Sequence, residues 1–366
     1  MTHADQFEDL HVSHTEIYVA DVTTSAERFV DGYGFQVYAE ATRTDHGGRS
    51  QSLALRQGSI VLVLTQPLDA SHAAAGYLDR HGDGVVDVAL LTGDARSALE
   101  NAVSRSAQPR TAPVEEDGWV TAVVDSGFDD VRHTFVQPPV GDDAQPGPLP
   151  GFRPVALQET TGGRTPGLTL LDHVAVSVPV GQLAPSTEWY ERVFGFESIY
   201  EELMIQDKEA MDSKAVRSPS GELTFTVLAP SPDHDPGHIG DFLDRHGSGG
   251  VHHLAFATGD IVEATVRMRE SGVAFLSTPD AYYDRLPGRL DHTQHPIAAL
   301  RDAGILADED HAGQLYQIFT RSIHPRRTLF FEVVERIGAE SFGNGNVRAL
   351  YEAVQAERDA TPQGAL

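Results

Sequence analysis

Three side chains far apart in the chain could share one piece of chemistry. His173 lies in LLDHVAVSV, His253 in GGVHHLAFAT and Glu332 in LFFEVVER. Each stretch has the apolar, β-branched composition of a buried strand. An ionised carboxylate is costly to bury unless a cation or strong donors meet it, so Glu332 needs partners. Two imidazoles and one carboxylate are the facial-triad ligand set of non-haem Fe(II) oxygenases. The separations are 80 and 79 residues, so no local motif exists. The set works only if three strands are laid side by side. A lone strand histidine is more often a hydrogen-bonded core residue than a ligand. Coincidence with Glu332 is what singles these two out. His252 adjoins His253 and faces the other way by strand alternation, so only one of them can join the set. His253 falls at the inward position. His81, His246, His311 and His324 fall in loops or turns, where solvated rings are expected.

Composition narrows the remaining choices. Of 366 residues, 27 are Lys or Arg and 54 are Asp or Glu, a formal charge of -27. So acidic a surface repels phosphate backbones and anionic lipid, which excludes nucleic-acid and membrane-surface roles. The chain has no cysteine. Disulfides, thiolate zinc sites and iron–sulfur clusters are therefore excluded, and any metal must be held by His, Asp or Glu. Apolar runs are too short to span a bilayer. The opening MTHADQFEDL lacks the basic and apolar regions of a signal peptide, and a cytoplasmic protein is expected.

The strands that must position the triad belong to a repeat. GDGVVDVALLTGD (Gly82–Asp94) matches GSGGVHHLAFATGD (Gly247–Asp260), which has one extra residue. GYLDRHG matches DFLDRHG, RFVDGYGFQVYAE matches WYERVFGFESIYEE, and SLALRQGSIVLVLTQP matches SKAVRSPSGELTFTVLAP. The offset stays between 161 and 166 residues across the blocks. Four blocks in one order at near-constant offset mark duplicated modules. Each opens on a strand (His14–Ala20; Leu170–Val178), followed by a helix (about Thr23–Gly32; Ser186–Val193, with Ser186 as N-cap). Alternating strands such as Ile60–Thr65 and Leu223–Leu228 come next. The modules close on Arg132–Gln137 and Thr328–Val334. In this alignment His253 matches Asp87, His173 about Thr15, and Glu332 about Gln137. The first module, 1–137, is thus expected to be metal-free scaffold. A Pro/Gly-rich linker (138–168) leads to the catalytic module, 169–366. That module carries an insertion, 281–310, with a helix over Ile297–Ala303. At the C-terminus Asn346 is expected to cap an amphipathic helix through Val347, Leu350, Tyr351 and Val354.

GVHHLAF, TPDAYYD, ILADEDHAGQLYQIFT, LFFEVVER and FGNGNVRALYEAV together resemble the 4-hydroxyphenylpyruvate dioxygenase family, over nearly the whole chain. The resemblance implies an α+β chain of the vicinal-oxygen-chelate fold, with duplicated βαβββ modules forming two open-barrel domains. It implies Fe(II) bound at His173, His253 and Glu332, with 4-hydroxyphenylpyruvate and O2 as substrates, and a homo-oligomer. It places Ser213 and Thr226 toward the substrate, Gln317 near the iron ligands, and Phe319 and Phe342 beside the aromatic ring. The C-terminal helix would act as a lid hinged at FGNGN. The family has a branch that makes homogentisate and a branch that makes 4-hydroxymandelate for peptide antibiotics. TFTVLAPSP (Thr224–Pro232), AMDS (Ala210–Ser213) and RSIHPRRTLFFEV (Arg321–Val333) resemble the second branch. Ala229 and His238 depart from both, which commonly have Glu and Gln there. A homogentisate-forming dioxygenase is the alternative, and a metal-free ligand-binding protein of the same fold is a third reading.

Overall fold

A computed structural model describes residues 7–8, 10–140, 147–156, 165–206, 208–343 and 345–346. The first module runs β1 (His11–Tyr18), α1 (Val22–Tyr33), β2 (Gln36–Asp45), β3 (Gly48–Gln57), β4 (Ile60–Pro67), α2 (Ala73–His81), β5 (Gly84–Leu91), α3 (Ala95–Ser104), β6 (Pro109–Glu116), β7 (Trp119–Asp125) and β8 (Arg132–Gln137). A short β9 (Arg153–Pro154) follows. The second module runs β10 (Leu168–Ser177), α4 (Leu183–Phe194), β11 (Glu197–Gln206), β12 (Glu209–Arg217), β13 (Thr224–Pro230), α5 (Gly237–His246), β14 (Gly250–Thr258) and α6 (Ile261–Glu270). It continues through the insertion helices α7 (Asp280–Arg285) and α8 (Ile297–Ala303) to β15 (Leu306–Glu309), β16 (Gln314–Phe319) and β17 (Phe330–Ile337).

The two sheets have the same order. One is β6-β7-β8-β5-β1-β4-β3-β2-β9 and the other β15-β16-β17-β14-β10-β13-β12-β11. In each, a central antiparallel pair (β1/β5; β10/β14) is flanked by parallel partners (β4 and β8; β13 and β17). Each sheet is therefore two βαβββ units back to back, and the chain holds four.

Local chemistry accounts for the helix ends. Asp21 accepts from the Thr24 N–H to start α1, and Gly34 (φ 75°) ends it in the left-handed region that glycine adopts without strain. The second helix departs from expectation. It begins at Leu183, a turn earlier than Ser186, and its cap position, Gln182, makes no side-chain cap bond. Ser186 is a buried first-turn residue instead.

Residues paired across strands share a face, and alternation along a strand separates the faces. On β17, Phe331 and Val333 point into the core. Phe330, Glu332 and Val334 lie on the opposite face, here called the site face. The core is continuous between modules. Phe29 and Tyr33 of α1 meet Phe331 at 5.3 and 5.4 Å. Reciprocally, Tyr190 of α4 shares a 2.7 Å hydrogen bond with His133 of β8, and Phe194 packs on Phe135. Each module lends a helix to the other's sheet. Burying a Phe side chain stabilises by about 1.5–3 kcal/mol. The first module thus braces the strand that carries Glu332.

Two expectations are corrected here. The stretch expected to be linker is not bare throughout. Arg153 and Pro154 pair with β2, and Leu149 and Phe152 are buried against Ala39, Ala41, Ala54 and Val63. His81 and His246 are not solvated but each 2% exposed. They end α2 and α5, and the two matching LDRHG segments meet at the seam between modules. The rings stack at 4.4 Å, the His246 carbonyl lies 2.7 Å from His81 Nδ1, and Asp130 lies 3.1 Å from His81 Nε2. Burial lowers His246 to about 4. His324 accepts from the Asp83 N–H at 3.2 Å and lies over Gly82, where any Cβ would clash with its ring. His311 is exposed, as expected. The amphipathic helix expected after Asn346 lies outside the described residues.

Candidate metal centre

Two adjacent rows of paired residues cross the site face of the second sheet. One runs Ala215–Thr226–Ala175–His253–Phe330. The next contains His173–Ala255–Glu332–Phe319. The rows bring His173, His253 and Glu332 together, all buried, with one ligand atom from each within 4.8 Å of the others. Glu332 Oε2 lies 3.3 Å from His173 Nε2 and 3.1 Å from His253 Nε2. Its other oxygen, Oε1, accepts from Gln317 Nε2 at 2.7 Å.

The pseudo-two-fold within this sheet adds a detail. Two residues beyond His253 stands Ala255, paired with Glu332. Two residues beyond His173 stands Ala175, paired with Thr226. A hydroxyl therefore occupies the position related to the carboxylate, and among the described residues the ligand set is three. Ser213 lies on the same face, its hydroxyl donating to the Glu202 carbonyl at 3.2 Å. Phe319 pairs with Glu332. The Phe342 ring stands edge-on to His173 at 5.3 Å. Every residue expected at the site thus falls on or beside one face.

Other residues join the site that the sequence did not place there. Asp172 Oδ1 lies 2.8 Å from His173 Nδ1. Arg336 grips Asp172 with two bonds, at 2.7 and 2.9 Å, and donates to the Ser341 carbonyl at 2.6 Å. His252 Nδ1 lies 3.2 Å from His253 Nδ1. Asn346, read as a helix cap, instead donates to Gln317 Oε1 at 2.9 Å, with the Tyr282 hydroxyl 2.9 Å from its Oδ1. This chain of bonds joins the start of the C-terminal segment to Glu332. For Asp172 and His252 the sequence does carry a signal, adjacency: each directly precedes a candidate ligand histidine.

Electrostatics follow from burial and pairing. Burial alone would lower the His173 imidazolium, but Glu332 and Asp172 outweigh it and hold it up at about 9. Burial alone would raise Glu332, but His173 and His253 hold it down at about 2. For His253 burial dominates and the shift is downward. Asp172 lies well below the usual carboxylate range, because the bonds from His173 and Arg336 overcome its desolvation. Without an ion, the site holds a protonated His173 against an ionised Glu332. A metal must displace that proton. Affinity for a divalent ion should therefore rise about tenfold per pH unit across neutrality and level off as His173 titrates. A chelator-competition series with Co(II) checks this, and a pH-independent affinity would contradict it. The metal-free protein should show the opposite trend. The stability contributed by the raised His173 is complete below the usual imidazole value and is lost as pH rises through about 9.

The first module shows what replaced the ligands. Register matches His14, Asp87 and Thr134 to His173, His253 and Glu332. The partners are thus His14 rather than Thr15, and Thr134 rather than Gln137. Arg132 stands where Phe330 stands in the second module. It donates to Asp87 at 3.0 Å, to Glu16 at 2.5 Å and to the Tyr18 hydroxyl at 3.3 Å. The Thr134 N–H also donates to Asp87, at 3.0 Å. A guanidinium fills the middle of that face.

Similarity to known proteins agrees with the geometry. Residues 170–286, which include His173 and His253, match the Glyoxalase/Bleomycin resistance protein/Dioxygenase superfamily. The chain is 30% identical to 4-hydroxyphenylpyruvate dioxygenase of Danio rerio, over 96% of this chain and 91% of that one. It is 29% identical to the Dictyostelium discoideum enzyme of the same name, over 94% and 97%. A triple mutant of 4-hydroxymandelate synthase from Streptomyces coelicolor superposes with a TM-score of 0.82. It is 39% identical and covers 95% of this chain and 98% of that one. Among the described residues no helix is long and apolar enough to cross a membrane. With two sheets of the vicinal-oxygen-chelate type and relatives aligned over nearly its full length, the chain belongs to the 4-hydroxyphenylpyruvate dioxygenase family and is a dioxygenase of that family.

Proposed function

We propose that this chain is an Fe(II)-dependent 4-hydroxymandelate synthase, converting 4-hydroxyphenylpyruvate and O2 to 4-hydroxymandelate and CO2. The observation that carries the reading is the buried His–His–Glu set in a chain 39% identical to a 4-hydroxymandelate synthase. The donor set fits a metal. Gln317 occupies one oxygen of Glu332 and leaves the other facing two imidazole nitrogens. Two nitrogens and one oxygen suit Fe(II). A bound Fe(II) would supply a place for a 2-oxo acid to chelate and the redox chemistry that couples O2 to decarboxylation.

The protein's own residues do the rest. His173, His253 and Glu332 hold the ion. Thr226, at the position related to Glu332, leaves that side of the set uncommitted, and the Ser213 and Thr226 hydroxyls orient the substrate. Phe319 and Phe342 flank its ring and exclude water, so that the benzylic carbon rather than the ring is presented to the reacting oxygen. TFTVLAPSP supports this choice of carbon. Thr224, Thr226, Leu228 and Pro230 are its β13 members on the site face, and Ala229 points into the core. The product would serve peptide-antibiotic assembly.

Anaerobic Fe(II) plus 4-hydroxyphenylpyruvate should give a visible charge-transfer band. After admission of O2, chromatography should show 4-hydroxymandelate as the main product. The alternative is favoured by the 4-hydroxyphenylpyruvate dioxygenase name of the Danio rerio and Dictyostelium discoideum relatives. Homogentisate as the main product would replace the synthase reading and leave the metal centre standing. Folded protein that gives neither band nor metal uptake would favour a metal-free binding protein.

A further inference from the structure

We propose that His252 is a positioning residue that fixes which nitrogen of His253 is bare and free to bind the metal. The inference rests on the triad being a metal centre and adds to it the origin of one ligand's tautomer. His253 presents Nε2 to Glu332 at 3.1 Å. To coordinate through Nε2, a neutral imidazole must carry its proton on Nδ1, and that N–H needs an acceptor. The acceptor in place is His252 Nδ1, at 3.2 Å.

Consecutive residues of a regular strand cannot meet in this way. These two meet because β14 is bulged: pairing to β10 passes from His253↔Ala175 to Val251↔Val176, and His252 is left unpaired. A bulge re-aims one side chain at a site. The His252 ring is then held by Phe330 at 4.7 Å and Phe242 at 5.1 Å, and the residue is 6% exposed.

The same device recurs at the other ligand. Pairing skips Asp172 between Leu171↔Phe256 and His173↔Ala255, and Asp172 meets His173 Nδ1 at 2.8 Å. Each ligand histidine is therefore backed through Nδ1 by the bulged residue just before it. The first module supplies the contrast. Its matching bulge skips Val86, ahead of Asp87. There the bulge precedes a carboxylate and the bulged residue is apolar, whereas the module's other bulge skips Ser13, whose hydroxyl lies 3.1 Å from His14 Nδ1, so that a polar bulged residue again backs an imidazole.

The test uses the full-length protein, with Zn(II) as a silent probe and Co(II) in chelator competition. Nitrogen-15 histidine spectra of the Zn(II)-loaded wild type should show His253 protonated at Nδ1 and His252 bare at Nδ1. His252→Leu should lose roughly 10- to 100-fold in Co(II) affinity, the cost of removing an outer partner of a ligand. His252→Gln, whose side-chain oxygen can accept the same proton, should stay within a few-fold of wild type. If His252→Leu does not fold, the wild-type tautomers and the glutamine rescue decide. A His252 ring protonated at Nδ1, or a leucine variant binding Co(II) as tightly as wild type, overturns the proposal alone. Wild-type protein that takes up no divalent ion overturns the metal-centre reading with it.

Discussion

Glu332→Ala is expected to abolish turnover and to weaken divalent-metal binding by more than the roughly 10- to 100-fold that loss of an outer partner costs. Two effects add. The ion loses its only anionic ligand, and two buried imidazoles lose the charge that brings them together. Burial then drives both rings toward neutrality. The Gln317 amide also loses its acceptor, which loosens its bond to Asn346. Asp87→Ala is the control, because register places Asp87 opposite Glu16 just as His253 stands opposite Ala175. That variant should still bind one equivalent of metal and turn over once folded. Isothermal titration and product assays on both variants read the contrast. Equal loss of metal in the two would end the division of labour between modules.

Arg132→Met is expected to cost about 3–5 kcal/mol of stability, the range for breaking a buried ion pair from one side. The guanidinium is held between Glu16 and Asp87. Without it, two carboxylates face each other, the Asp87 one buried and the Glu16 one mostly so, and the desolvation penalty remains with no cation to offset it. Metal affinity should not change, since the strands carrying the triad are untouched. The triple variant Glu16→Gln, Asp87→Asn, Arg132→Met should recover much of the loss. Denaturant titration measures both variants. A single variant as stable as wild type would show that this network is not what holds the first module's inner face together.

The duplication was legible because it left four blocks at a steady offset. The triad was legible because a carboxylate among Phe and Val residues demands a partner. What escaped notice has physical reasons. The smaller repeat, two βαβββ units per module, leaves no matched blocks, because the strands of one unit share geometry but not side chains. The partners of His173 and Glu332 in the first module were misplaced by one and three residues. Bulges and unequal loops slide a sequence alignment, whereas strand pairing fixes the register. Asn346 read as a cap, and Asp172 and Arg336 drew no reading, because polar partners 164 positions apart, as in Asp172–Arg336, leave no local pattern. His81 and His246 looked exposed because each ends a helix, and only the meeting of the two modules covers them. Leu149 and Phe152 were hidden in a stretch whose glycines and prolines dominated its reading.

The exchange of α1 and α4 between sheets bears on the history of the fold. Tyr190 and Phe194 are fully buried only because another module's strand lies over them, and the same holds for Phe29 against Phe331. A single module set free in water would bare this aromatic surface, and a second copy would fit it, since the contact is self-complementary about a two-fold axis. An ancestor of half the length would thus have lived as a symmetric pair with two equivalent centres. Joined in one chain, the two halves are free to differ, and here one face holds Arg132 where the other holds the His–His–Glu set.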